Sequence, residues 1–151
     1  MPQTRVLFVC IGNSCRSPMA EGFARTYGSD VLQAYSAGLA PAMSVAPLTH
    51  KVMLEKNIDV GYIYPKDFKP AAGSADLIIN MSGVDLPVRP VVPVENWEIR
   101  DPIGEREEVY REVRDQIELR VMQLILVLRA RKQSKQATSS KVDSRRRGLG
   151  Q

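Results

Sequence analysis

The chain contains little of what most catalytic and metal centres are built from. Of its 151 residues, one is a histidine, His50, and two are cysteines, Cys10 and Cys15. This composition excludes a multi-histidine metal centre and a four-cysteine zinc site. Two cysteines this close together also provide no disulfide framework. Any catalysis must therefore depend mainly on cysteine, arginine, aspartate and backbone amides.

Long hydrophobic runs are also missing. The longest, Val6–Ile11 and Leu124–Leu128, are far shorter than the roughly 20 residues that cross a bilayer. The first of them is also shorter than the apolar core of a signal peptide, which spans about 7–15 residues. We therefore expect no membrane association and predict a cytoplasmic protein, in which the thiols stay reduced.

Acidic residues are scarce at the carboxyl-terminal end of the sequence. The net charge is +4, yet residues 129–151 hold eight of the 21 lysines and arginines and a single acid, Asp143. The rest of the chain is mildly acidic, so the charge gives no reason to expect nucleic acid as a partner. Residues 1–132 are predicted to form one domain, and the polar, basic segment 133–151 a disordered tail.

The pattern of apolar residues predicts strands that alternate with helices. We expect strands at Val6–Cys10, Val31–Ala37, Ala75–Met81 and Val88–Val94, and helices from Ser17–Pro18 to Tyr27, at Leu48–Lys56 and at Glu105–Lys132. Pro90 and Pro93 place the fourth strand at an edge. This alternation indicates an α/β fold with a parallel sheet.

The segment from Cys10 to Ser17 joins the first strand to the first helix. In parallel sheets, ligands bind beyond the carboxyl ends of the strands, where Cys10 lies. A loop that turns into a helix there directs successive backbone amides inward and forms an anion-binding nest. We expect the amides from Ile11 to Ser17, including those of Ser14 and Cys15, to bind an oxyanion and to favour the thiolate of Cys10.

Individual side chains of this loop have roles of their own. Gly12 permits close backbone approach or a positive φ, and Asn13 tolerates the left-handed conformation and can lock the loop through hydrogen bonds. Arg16 offers a planar fork for two oxygens of the anion. Ser17 suits a helix N-cap and can donate to the Cys10 sulfur. Cys15 is either ordinary loop packing or a redox partner of Cys10.

A reaction through a cysteinyl-phosphate also needs a proton donor for the leaving group. Asp101, fixed by Pro102, follows the fourth strand on a loop at the same end of the sheet as Cys10. It can act as general acid and base, or it can cap the helix that follows, and the sequence leaves both roles open.

The motif from Val9 to Glu21 closely resembles the signature of the low-molecular-weight protein tyrosine phosphatases and the related thiol-dependent arsenate reductases. The segment Tyr35–Gly38, the strand Ala75–Met81 and the pair Asp101–Pro102 are similar to later blocks of that family, in the same order. The resemblance covers roughly residues 4–130 and leaves out the basic tail.

The resemblance implies a single domain with a four-stranded parallel sheet flanked by helices, in flavodoxin-like layers. It also implies that Cys10 is the nucleophile, that Arg16 binds the oxyanion, that Ser17 stabilises the thiolate and that Asn13 organises the loop. Asp101 would be the general acid and base. Neither a metal nor an organic cofactor is expected.

Three functions are compatible with these residues. The main hypothesis is a phosphomonoester hydrolase that acts on a phosphorylated protein, at phosphotyrosine, or on a small aryl phosphate; however, Ile103–Gly104 stand where such phosphatases often carry aromatic residues. The alternative is an arsenate reductase that uses an external thiol, since Ser82–Arg100 contains no cysteine for an internal disulfide relay. The third is a non-catalytic module that binds an oxyanion or a partner.

Overall fold

The computed structural model describes residues 3–149, with side chains up to Thr138. In chain order the elements are β1 (Thr4–Cys10), α1 (Arg16–Tyr27), β2 (Leu32–Gly38), α2 (Pro47–Leu54), α3 (Phe68–Ala72), β3 (Leu77–Asn80), β4 (Val94–Asn96) and α4 (Glu107–Leu149).

The four strands form one parallel sheet in the order β2-β1-β3-β4. The predicted α/β class with a four-stranded parallel sheet is confirmed. β1 lies inside the sheet, with Cys10 beside Gly38 of β2 and Val9 beside Asn80 of β3. This register brings the carboxyl ends of the three strands together around Cys10.

Side chains of β1 alternate between two apolar layers, as the two-residue period of a strand requires. Phe8 packs on the side that holds α1, α2 and the first half of α4, and Leu7 and Val9 pack on the side of Phe68 in α3. All four of these side chains are essentially buried. Burying a side chain such as Phe8 contributes about 1.5–3 kcal/mol, so β1 holds both layers together and fixes the position of Cys10.

The fourth strand differs from its prediction. It lies at the edge of the sheet, as expected, but it spans Val94–Asn96 instead of Val88–Val94. Pro90 and Pro93 have no amide hydrogen and cannot donate to a neighbouring strand. Val91 is fully exposed and Val88 is 46% exposed, so two of the apolar residues that suggested a strand do not face the core.

The last helix is longer than predicted. α4 continues past Lys132 to Leu149, across most of the segment expected to be disordered. Its first half packs on α1, and the residues that follow include lysines, arginines, glutamines and an alanine, which are good helix formers. Residues 150–151 of the predicted tail lie outside the described residues. Within residues 3–149, no helix has the length and hydropathy needed to cross a membrane.

Candidate active site

The loop between β1 and α1 turns its carbonyl groups away from its centre. Four loop carbonyls accept hydrogen bonds of 2.8–3.1 Å from backbone amides of the segment after β2: Cys10 from Leu39, Ile11 from Ala40, Gly12 from Ala42 and Ser14 from Ala46. Among the described residues, the amides from Gly12 to Cys15 have no protein acceptor. The loop therefore offers unpaired donors on its inner side, as an anion-binding nest does.

Asn13 ties this loop to its surroundings. It adopts a φ of 50°, the left-handed conformation expected for it. Its Oδ1 accepts from the Lys66 amide at 3.0 Å, and its Nδ2 donates to Ser17 Oγ at 2.8 Å. Ser17 Oγ in turn lies 3.0 Å from Cys10 Sγ. Asn13 thus fixes the hydroxyl that reaches the sulfur.

Ser17 is not the N-cap of α1. The helix begins at Arg16, so Cys15 holds the N-cap position and makes no side-chain capping bond. Ser17 lies inside the first turn, fully buried, and its hydroxyl is engaged with Cys10 and Asn13. The capping role predicted for it is wrong because its side chain points back to the end of β1.

The glycine that the loop requires is Gly38 and not Gly12. A Cβ at Gly12 would find its nearest neighbour at 3.6 Å, an ordinary contact, and Gly12 has no positive φ. A Cβ at Gly38 would lie 2.7 Å from the Ile11 carbonyl oxygen and 2.8 Å from the Asn13 nitrogen. Gly38 therefore allows the loop to lie directly against β2.

Arg16 is buried beneath the loop, with 5% of its side chain exposed. Its Nη1 donates to the carbonyls of Met81 and Ile99, and its Nη2 lies 3.4 Å from Asp101 Oδ2. Its Nε is buried and has no hydrogen-bond partner among the described residues. Because a buried donor without an acceptor costs free energy, this nitrogen is suited to an anion that enters the site.

Asp101 lies at the mouth of the site. Its side chain is 40% exposed, and its Oδ1 accepts from the amide of Ile103 at 3.1 Å. α4 begins only at Glu107, so Asp101 does not cap it. Of the two roles that the sequence leaves open, the structure excludes the cap and leaves a carboxylate facing Arg16.

Cys15 is a second free thiol, 3% exposed. Its Sγ lies 3.6 Å from the hydroxyl of Tyr110 on α4, to which it donates. Burial raises the pKa of Cys15, and the bond to Tyr110 opposes that rise in part. Sequence reasoning missed Tyr110, since its place on the helix is that of any core residue.

These groups surround a cavity of about 160 Å³. It is lined by Cys10, Ile11, Gly12, Ser14, Cys15, Arg16, Ala42, Asp101 and Ile103. Of the predicted site residues, Asn13 and Ser17 lie outside this lining and support the loop from behind. Among the described residues there is no cluster of three metal-ligating side chains.

A free thiol at the end of a central parallel strand, with unpaired amides and a buried guanidinium around it, defines a cysteine-centred oxyanion site in an α/β enzyme. The sequence model of the family described as low molecular weight phosphotyrosine protein phosphatase matches residues 5–87. The chain belongs to this family.

Relatives in the family carry more than one activity in their names. A glutaredoxin arsenate reductase from Synechocystis is 40% identical over 80% of this chain and 95% of its own length. A solved arsenate reductase in the phosphate-binding state is 37% identical, with a TM-score of 0.77 over 83% of this chain and 99% of that one. An arginine phosphatase from Geobacillus stearothermophilus is 25% identical, with a TM-score of 0.72 over 87% of this chain and 96% of that one.

Proposed function

We propose that this protein is an arsenate reductase that receives its electrons from an external thiol. Two relatives support this function over phosphomonoester hydrolysis, the main hypothesis from the sequence. They are the glutaredoxin arsenate reductase at 40% identity and the arsenate reductase structure at 37% identity. The order of the two hypotheses is therefore reversed.

The observation that carries this proposal is the size and lining of the cavity. A volume of about 160 Å³ with small or aliphatic walls, from Ile11, Ala42 and Ile103, suits a bare tetrahedral oxyanion. In the part of the chain that the structure describes, no aromatic side chain lines the cavity, so none of these lining residues stacks on the ring of an aryl phosphate. The unpaired amides and Arg16 Nε supply donors for the oxygens of the anion.

The reaction begins at the Cys10 sulfur. As a thiolate, it attacks the arsenic of arsenate, an S–As bond forms, and one arsenate oxygen takes up protons from solvent and leaves as water. A second thiol then attacks the Cys10 sulfur. An S–S bond forms and the S–As bond breaks, and its electron pair stays on arsenic, which is reduced from As(V) to As(III) and leaves as arsenite.

The second thiol, or the thiol that later reduces its disulfide, must come from outside the chain. Cys10 and Cys15 are the only cysteines, and the region from Ser82 to Arg100 has none. A complete cycle consumes two electrons, so two equivalents of a reductant thiol are needed. That thiol is the partner we propose, either a small molecule or a thiol protein.

A reductase assay tests this function. We expect arsenite to form from arsenate in the presence of a thiol, and no arsenite to form with Cys10→Ser, because serine cannot form the S–As bond. His50→Ala, a change outside the cavity lining, is the matched control. If no arsenite forms with glutathione or with a glutaredoxin system, while the same preparation hydrolyses aryl phosphates, the proposal fails.

The second candidate function is phosphomonoester hydrolysis, which the position of Asp101 favours. With a poor leaving group, a cysteinyl-phosphate forms readily only when the departing alkoxide receives a proton, and Asp101 lies beside Arg16 at the mouth of the cavity. Arsenate reduction depends less on a carboxylic acid, because the departing arsenate oxygen can take its protons from solvent and no alkoxide leaves. For this function the substrate is a phosphorylated protein or a small aryl phosphate.

A further inference from the structure

We propose that Tyr110 is a positioning residue whose hydroxyl makes Cys15 the thiol that resolves oxidised Cys10. Cys15 and Cys10 line the same cavity, and Tyr110 reaches Cys15 from the beginning of α4. The inference rests on the proposed function only where arsenate is the compound that oxidises Cys10. The same thiol step follows any two-electron oxidation of Cys10.

Tyr110 is the free donor among the polar groups that face Cys15. Thr49 Oγ1, from α2, already donates to the Ser14 carbonyl at 2.9 Å, and Ser14 Oγ donates to the Ser44 carbonyl at 3.1 Å. Within residues 3–138, the Tyr110 hydroxyl has no other acceptor for its proton. When the Cys15 thiol loses its proton, the hydroxyl 3.6 Å away can turn and donate to the thiolate.

Two features of its surroundings oppose ionisation of Cys15. Burial raises the pKa of Cys15, and the carboxylate of Asp101 raises it further. The hydrogen bond between Cys15 and the Tyr110 hydroxyl lowers the pKa of Cys15, and smaller contributions from Thr49 and Ser14 act in the same direction. Burial also raises the pKa of Tyr110 itself, so the hydroxyl keeps its proton and remains a donor where Cys15 ionises.

Formation of the disulfide needs only Cys15 and the oxidised Cys10. Cys15 loses its proton to solvent, and its sulfur attacks the Cys10 sulfur of the arsenic adduct. The S–S bond forms, the S–As bond breaks, and arsenic leaves as As(III). If peroxide has oxidised Cys10 to a sulfenic acid, the same attack breaks the S–O bond and releases water. The external thiol then reduces the disulfide between Cys10 and Cys15.

Peroxide oxidation followed by intact mass measurement tests this role without arsenate. In Tyr110→Phe, we expect the pH midpoint for formation of the Cys10–Cys15 disulfide to rise by about one unit, since a hydrogen bond to a charged group is lost. We expect the rate at pH 7 to fall only about threefold, because a thiolate of higher pKa is more nucleophilic. Tyr27→Phe is the control. Tyr27 lies at the carboxyl end of α1, far from the loop, and the change removes a hydroxyl that donates to Glu118 of α4.

Two outcomes overturn the proposal. One is a Tyr110→Phe protein that folds as the wild type does and forms the disulfide with an unchanged pH profile. The other is a profile that Tyr27→Phe shifts equally, which would indicate general destabilisation. Should Tyr110→Phe fail to fold, Tyr110→Trp is the second variant, because it keeps an aromatic core residue with a hydrogen-bond donor. In Tyr110→Trp, we expect peroxide to form the disulfide with no rise in the pH midpoint. Because no arsenate is used, failure of the reductase assay leaves this test intact.

Discussion

Arg16 and Asp101 form an ion pair whose two members differ sharply in exposure. Nη2 of Arg16 lies 3.4 Å from Oδ2 of Asp101, but the arginine side chain is 5% exposed and the aspartate 40%. The guanidinium is fixed at the floor of the cavity by carbonyls on its other side. The carboxylate is held by one backbone amide and stays accessible at the mouth, where a leaving group would depart.

Asp101→Asn separates the two candidate functions. Asparagine can keep the hydrogen bond from the amide of Ile103 but cannot give up a proton at neutral pH. For a phosphomonoesterase, we expect hydrolysis of phenyl phosphate to fall by about 10²–10⁴-fold. The fall should be much smaller for p-nitrophenyl phosphate, whose leaving group needs little protonation. Initial rates over a series of leaving groups measure this difference.

Arsenate reduction by the same variant provides the comparison. We expect the rate of arsenite formation to change by less than about tenfold, because the departing oxygen leaves as water, with protons from solvent, and not as an alkoxide. An equal loss across all leaving groups and in arsenate reduction would show that Asp101 orients Arg16 and transfers no proton.

Gly38→Ala should destabilise the protein and displace the loop around the cavity. The added Cβ would lie 2.7 Å from the Ile11 carbonyl oxygen and 2.8 Å from the Asn13 nitrogen, and both are backbone atoms. We expect the free energy of unfolding to fall by about 1–3 kcal/mol, and inorganic phosphate to bind more weakly. Urea unfolding and calorimetric titration measure the two effects.

Gly73→Ala is the matched control for this change. A Cβ at Gly73 meets no atom within 4 Å, and its φ of −66° suits any residue. We expect unchanged phosphate binding and a free energy of unfolding equal to or above that of the wild type. If Gly38→Ala and Gly73→Ala have the same stability and the same phosphate affinity, the close contact between Gly38 and the loop contributes to neither property.

Glu55→Gln tests how ion pairs between α2 and α4 depend on pH. Hydrogen bonds from Arg111, and next from Arg114, lower the pKa of Glu55 from 4.5 to about 2. A carboxylate with a lowered pKa stabilises the folded state fully above its ordinary pKa, and this contribution is lost as the pH falls through the lowered value.

The stability difference between wild type and Glu55→Gln should therefore be greatest near neutral pH. We expect it to shrink between pH 4.5 and about pH 2, as measured by urea unfolding across this range. Glu98→Gln, which removes an exposed carboxylate outside this cluster, is the control. A difference that is constant over the whole range would show that ionisation of Glu55 does not contribute.

The central part of the fold follows from sequence because its patterns are local. A continuous apolar run predicts β1, and the turn from Cys10 into α1 is enough to locate the anion loop. β4 could not be located in this way, since its three residues are partly exposed and pair only through the backbone with β3. α3, with five residues, is too short for a helical period to show.

The same distinction applies to the site. Cys10, Arg16 and Asn13 belong to one short segment, and their roles follow from the order of residues in it. Gly38 and Tyr110 act across the fold, and each looks ordinary in its own segment: one ends a strand and the other continues a helical face. Their effects exist only once β2 and α4 pack against the loop.

The shortness of β4 has a consequence for how copies of this protein behave at high concentration. An outer strand exposes unpaired backbone groups to which a strand of another molecule can add. In this border strand, β4, only three residues, Val94–Asn96, are available for pairing, and Pro93 directly precedes them. A foreign chain gains very few hydrogen bonds at this border, which protects this edge of the sheet against growth into fibrils. The opposite edge is β2, whose seven residues have no such protection from length.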